Sequence, residues 1–184
     1  MTVPNLIVFG LAFVLAFLLL AYAAPKKFQV KISRKLSAPP DRIWPYLSVP
    51  ERYPNWFPFL TDCRAVNGTQ NGVGQKRLVK IDRNKNLGER EEEVTRWDEN
   101  QVIELQHVWE KMDGKLVRWV EARTEYRLKA VDDGTEMTSR FWFSGQGLMG
   151  KIFSLLSFRK KHEMEHRLAL DNLEKRLQEE TYKS

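Results

Sequence analysis

The sequence predicts an α+β domain: a curved antiparallel sheet of about seven strands around one long C-terminal helix, with an apolar helix ahead of it. Three observations predict it. From Phe59 to Ser144, short alternating segments are separated by turn signals. From Gly147 to Glu180, "GLMGKIFSLLSFRKKHEMEHRLALDNLEKRLQEE" reads as one helix of about 30 residues. From Met1 to Pro25 no side chain is charged. An open antiparallel sheet must cover its apolar face, and the last helix is the one element long enough to do it. The sheet therefore curls around that helix and leaves a cavity.

The elements follow in order. "LIVFGLAFVLAFLLLAYAA", Leu6 to Ala24, is uncharged. As a helix its ~19 residues span roughly 28 Å, close to a hydrocarbon core of about 30 Å. The reading is a single-pass anchor over residues 6–24. A cleaved signal ending near Ala21-Tyr22-Ala23 is the alternative, but "MTVPN" lacks the basic side chains a signal begins with. The positive residues, Lys26, Lys27, Lys31, Arg34 and Lys35, come after the run, which places the following domain in the cytoplasm. Residues 1–25 are thus read as the anchor and 26–184 as the folded domain.

"FQVKISRKLSA" alternates Phe28, Val30 and Ile32 with polar residues and predicts a strand. Prolines at 39, 40, 45, 50, 54 and 58 then restrict the chain to two short helices, near Pro40 to Leu47 and Val49 to Asn55. "NGTQNGVG", "DRNKNLG", "DEN", "KMDGK" and "DDG" separate six further strands with short connections, an antiparallel meander. "EREEEV", Glu89 to Val94, reads as an exposed, charged edge strand. Glu121, Arg123, Glu125 and Arg127 read as a solvated ion-pair ladder on one strand face.

Composition narrows the function. With 42% hydrophobic and 29% charged residues the chain is mainly globular. One cysteine, Cys63, excludes an internal disulfide and a cysteine-built zinc site. The net charge of +6 is moderate. Basic and aromatic residues do not interleave as on a nucleic-acid-binding sheet, and "GQGLMG" lacks the lysine of a phosphate-cradling loop, so no nucleic-acid or nucleotide partner is expected. The residues set no oligomeric state.

"KISRKLSAPPDRIWPYLSVPERYPNWFPFL" carries Ser37-Ala38-Pro39, Trp44, Leu47 and Tyr53-Pro54-Asn55-Trp56. This arrangement resembles the opening of the START-like (SRPBCC) superfamily, in its polyketide cyclase/dehydrase and lipid transport branch. "YRLKAVDDGTEMTSRFWFS" followed by a long helix is similar to that branch's ending. The likeness covers about Phe28 to Glu180, and the N-terminal run is an addition to it. It implies a helix-grip fold around an apolar pocket. It implies no cofactor, and because the superfamily hosts carriers, receptors and cyclases it does not by itself select a function.

The candidate site residues come from faces. Stepping by three and four residues along the last helix gives Leu148, Ile152, Leu155, Arg159, His162, His166, Leu170, Leu173 and Leu177, the stripe a helix buries, with Met164 opposite. In "VIELQHVWE" the apolar phase puts Ile103, Leu105, His107 and Trp109 inward. Val120, Ala122, Thr124 and Tyr126 share one face, and so do Met137, Ser139, Phe141 and Phe143. The ligand-binding candidates are His107, Trp109, Tyr126, Phe141, Phe143, Arg159, His162 and His166. "HEMEH", His162 to His166, matches the zinc-protease string H-E-x-x-H, but no third ligand pattern follows it and the architecture differs. No metal ligand and no catalytic residue is assigned. The resulting expectation is a membrane-tethered domain that binds a hydrophobic small molecule or lipid between sheet and helix. Its alternatives are a cyclase or dehydratase using the inward histidines, and a non-catalytic partner-binding factor.

Overall fold

The computed structural model describes residues 8–10, 12, 15–17, 19, 22, 28–69, 71–83, 85–117, 119–145 and 159–182. Strand β1 (Phe28–Leu36) leads into helix α1 (Pro40–Ser48) and a 3-10 helix (Pro50–Asn55). Strands β2 (Leu60–Ala65), β3 (Lys76–Arg83), β4 (Asn86–Asp98), β5 (Val102–Met112), β6 (Lys115–Leu116), β7 (Trp119–Val131) and β8 (Gly134–Gly145) follow, and helix α2 (Arg159–Thr181) ends the chain. All pairs are antiparallel, in the order β1-β8-β7-β5-β4-β3-β2, with β6 on the end of β5. Seven strands match the sequence reading. The eighth, β6, is two residues long and arises where Asp113 and Gly114, both at positive φ, close a tight hairpin. A second two-residue turn, Asp132-Asp133, joins β7 to β8. Gly134 follows it with φ +135°, and a side chain there would strike the Leu36 carbonyl oxygen at 2.1 Å.

Local chemistry accounts for the helices. Pro40 stands in the first turn of α1, where its missing N–H costs nothing, and Pro50 does the same for the 3-10 helix. Ile43, Trp44, Tyr46 and Leu47 bury one face of α1. From α2, Ala169, Leu170, Leu173 and Leu177 enter the same core, meeting Leu36, Val79, Ile103, Leu105 and Met137 of the sheet. His162, His166, Leu170, Leu173 and Leu177 thus share the buried stripe the periodicity predicts, and Met164 is exposed. Leu148, Ile152 and Leu155 lie outside the described residues.

Two expectations are corrected. Among the described residues no helix is long and apolar enough to cross a membrane. The one long helix described, α2, carries charge on every turn. This overturns the single-pass location and the cytoplasmic placement built on it. Of the run 6–24, only residues 8–10, 12, 15–17, 19 and 22 are described. The second correction concerns "EREEEV". Strand β4 is interior to the sheet, flanked by β3 and β5, and Arg90 and Glu92 are buried. They stand in phase with buried Val94, so they face the core. The Glu121–Arg127 ladder does form, through Arg123 with Glu104 and Glu121 and through Arg127 and Arg140 with Glu125. Glu125 is nonetheless buried, because the two arginines cover it.

Candidate ligand-binding site

Between the sheet and the first turns of α2 lies a cavity of about 240 Å³. Its apolar wall includes Phe57 from the loop after the 3-10 helix, Ala122 from β7, and Phe141 and Phe143 from β8. Its polar groups include Arg83, Arg90, His107 and Thr124 from the sheet and Lys161, His162, Glu165 and His166 from α2. Spacing on α2 explains its share: residues 162, 165 and 166 lie on one side of consecutive turns.

Five of the eight candidates line the cavity: His107, Phe141, Phe143, His162 and His166. Phe141 is their common neighbour, with ring centroids 5.7 Å from His107, 4.6 Å from His162 and 5.8 Å from His166. Tyr126 is buried just behind, sharing a 2.8 Å hydrogen bond with the hydroxyl of Tyr53, which does line the cavity. Trp109 points away. A bulge places both His107 and Trp109 opposite adjacent residues, Glu92 and Glu91, which absorbs Val108 and reverses the phase. Beyond it Glu110 and Met112 face the cavity, while the Trp109 indole donates to Glu91 and lies beneath the Lys111 ammonium. Arg159 is exposed at the start of α2.

Sequence reasoning missed Arg83, Arg90 and Glu165. Arg90 and Glu92 form a buried pair, Nε to Oε1 at 2.6 Å, with His107 Nε2 at 3.6 Å from the same oxygen. Arg83 meets Glu165 at 3.0 Å, and His162 Nδ1 lies 3.3 Å from that carboxylate. His166 Nδ1 is 2.6 Å from Ser139 Oγ. With that hydroxyl donating to Nδ1, the ring proton sits on Nε2. The signal that could have found the charged residues is phase: Arg83 alternates with Val79 and Ile81, as Arg90 and Glu92 do with Val94.

Burial pushes all three imidazoles toward the neutral form. It holds His107 well below its usual range, helped by the Arg90 charge and the other two rings. It lowers His162 despite the opposing pull of Glu165. It lowers His166 to about 3, with His162 adding to the effect. Burial alone would raise Glu165, but the His162 hydrogen bond and the Arg83 charge outweigh it, and the carboxyl is lowered. Burial would likewise lower Arg90, but the Glu92 carboxylate more than compensates and keeps the guanidinium charged. The sign for stability follows. An unfolded imidazole gains its proton near pH 6.5, while the folded ones resist it, so stability falls as pH drops from 6.5 toward about 3. Thermal melts should be flat above neutrality and descend through this acid window, with a shallower descent for His166→Gln. An acid limb unchanged by that substitution would remove His166 from the account.

The "HEMEH" string does not build a protease site. Glu163 faces outward and pairs with Arg167 at 2.9 Å, so it does not stand beside the two histidines. Among the described residues no three His, Cys, Asp or Glu side chains gather as metal ligands. Cys63 is buried, and burial pushes its thiol up to about 12, which disfavours the reactive thiolate.

A sheet gripping a C-terminal helix over a side-chain-lined cavity defines the helix-grip class. Within that class the chain belongs to the polyketide cyclase / dehydrase and lipid transport family, whose model matches residues 27–178. Solved structures share the fold at low identity. The ZhuI aromatase/cyclase from a Streptomyces species has a TM-score of 0.65 at 14% identity, covering 83% of this chain and 94% of its own. A major latex-like protein from Panax ginseng reaches 0.65 at 12%, covering 83% and 98%. An uncharacterized protein from Rhizobium leguminosarum reaches 0.59 at 20%, covering 83% and 95%. No curated protein matches the chain.

Proposed function

We propose that the chain binds a hydrophobic small molecule or lipid in the cavity between the sheet and α2. The observation that carries this reading is the wall itself: phenylalanines and an alanine, set with a few fixed polar groups, inside an otherwise packed core. Ligand sites are built this way, mostly apolar with a small number of placed donors and acceptors. Membership of a family described by cyclisation, dehydration and lipid transport supports the same class of ligand. Native mass spectrometry of the protein as purified from its own cells tests it: a retained mass of a few hundred daltons is expected, as an order of magnitude for a pocket ligand. Ala122→Phe fills the cavity from β7. It should change stability by no more than about 1–3 kcal/mol and weaken ligand retention about tenfold or more. Retention unaffected by that substitution would place the ligand elsewhere and sink the reading.

One observation favours a second reading, an enzyme of the cyclase or dehydratase type. His162 is a neutral imidazole whose Nδ1 is oriented by Glu165, itself held by Arg83. A general base needs an orienting partner of this kind. The aromatase/cyclase of similar fold supports the class of reaction. His162→Gln separates the two readings: ligand retained with turnover lost speaks for the enzyme, and both retained speaks for carriage alone.

A further inference from the structure

The cavity's polar groups are not equivalent. Of the three cations in its described lining, Lys161 is exposed, and Arg83 is turned to Glu165. Arg90 is 7% exposed. Among the described residues its one side-chain hydrogen bond runs from Nε to Glu92, which leaves both Nη groups without a protein acceptor. The lining carboxylate of Glu110 acts on Arg90 through its field, but among the described residues it makes no ion pair with it. Arg90 lines the cavity, so these donors are available to an acceptor that enters it. His166 adds a second donor to the same cavity: Ser139 occupies Nδ1, and the Nε2–H has no acceptor among the described residues. The positive field of Arg90 reaches the rings of His107, His162 and His166. The surrounding walls are Phe57, Phe141 and Phe143, which keep that field strong.

We infer that the ligand carries a carboxylate, which enters the cavity first and is held by the Nη groups of Arg90 and the Nε2–H of His166. This rests on the reading that the cavity binds a hydrophobic molecule. A carboxylate matches the planar guanidinium fork with two parallel acceptors and brings the charge that a neutral carbonyl or hydroxyl lacks. The apolar remainder of the ligand then lies along the phenylalanines. The class is a small aryl or fatty acid.

The test uses the full chain with octanoate and naphthoate, each beside its methyl ester, in calorimetric titrations. The acids should bind roughly tenfold to a hundredfold tighter than their esters, as charge-assisted hydrogen bonds imply. The double variant Arg90→Met/Glu92→Met removes both buried charges together, leaving neither orphaned, and should abolish that preference while still binding esters. A measurement on the unaltered protein stands independently. A carbon-13 label in the carboxyl of the bound acid should titrate below the free acid, because a neighbouring guanidinium favours the ionised form. The label reports the ligand alone, apart from Tyr53, Glu110, Lys161, Glu165 and the imidazoles that share the lining. Esters that bind as well as acids, or a label that titrates above the free acid, would overturn the inference and leave the cavity reading standing. If neither acids nor esters bind, both fall.

Discussion

Arg77→Ala should lower the unfolding free energy by about 3 kcal/mol or more. Arg77 is wholly buried on the inner face of β3. Its Nη1 and Nη2 donate to the carbonyls of Leu47 and Ser48 at 2.9 Å each, and its Nε donates to Gln75 at 2.7 Å. Those carbonyls belong to the last turn of α1, where the helix has no internal donors to offer and its dipole favours a cation. One side chain thus caps α1 and fastens it to the sheet. Burial pulls the guanidinium below its usual value, and no carboxylate forms an ion pair with it among the described residues, so carbonyl dipoles do the work of solvent. Removing it leaves two helix-end carbonyls without this donor, and adds a void. Arg77→Lys should recover little, because an ammonium cannot span both carbonyls and Gln75 at once. Chemical denaturation measures both variants. A loss below about 1 kcal/mol for Arg77→Ala would show that water or a shifted helix end replaces the cap.

Glu92→Ala is expected to cost about 3–5 kcal/mol, and the double variant Arg90→Met/Glu92→Met much less. Glu92 is fully buried, and its Oε1 takes the 2.6 Å bond from Arg90 Nε. Removing the carboxylate alone leaves a buried guanidinium without its counter-charge. Removing both replaces two desolvated ions with apolar volume, an exchange that is often neutral or favourable. The comparison separates the net worth of the pair from the penalty of orphaning one member. Equal losses in single and double variants would mean that volume, not charge, governs this part of β4. A stable double variant that no longer discriminates acids from esters would assign the pair to ligand recognition rather than to the fold.

Much of the fold was legible because its signals are local. Period-two alternation located the strands, and Asp113-Gly114 and the Asp132–Gly134 segment marked two of the turns. Proline spacing limited the first helices, and period-3.6 spacing put His162 and His166 on the buried stripe. Those rules depend on backbone geometry over a few residues. The misreadings had equally specific causes. Unbroken alternation predicts Trp109 inward, and a single absorbed residue, Val108, reverses the phase. The charge of "EREEEV" predicts an edge, although Arg90 and Glu92 keep the phase of Val94, and only the pairing of β4 with both β3 and β5 buries them. Length and hydropathy predict a span over the run 6–24, and among the described residues no helix of that character is present.

By itself the sequence determined the order and kind of the elements, the helix face that carries two histidines, and the family to which the chain belongs. Each depends on neighbours close along the chain or on motifs within it. Tertiary structure alone decided which charges meet. Arg90 and Glu92 could be seen in one strand, but their burial, the convergence of His107, His162 and His166 on Phe141, and the joining of Arg83 to Glu165 across 82 residues exist only once sheet and helix close. The physical reason is desolvation. A charge on an isolated strand is solvated and tells nothing. The same charge in a closed core must find a partner, and at Arg90 the protein supplies only part of one.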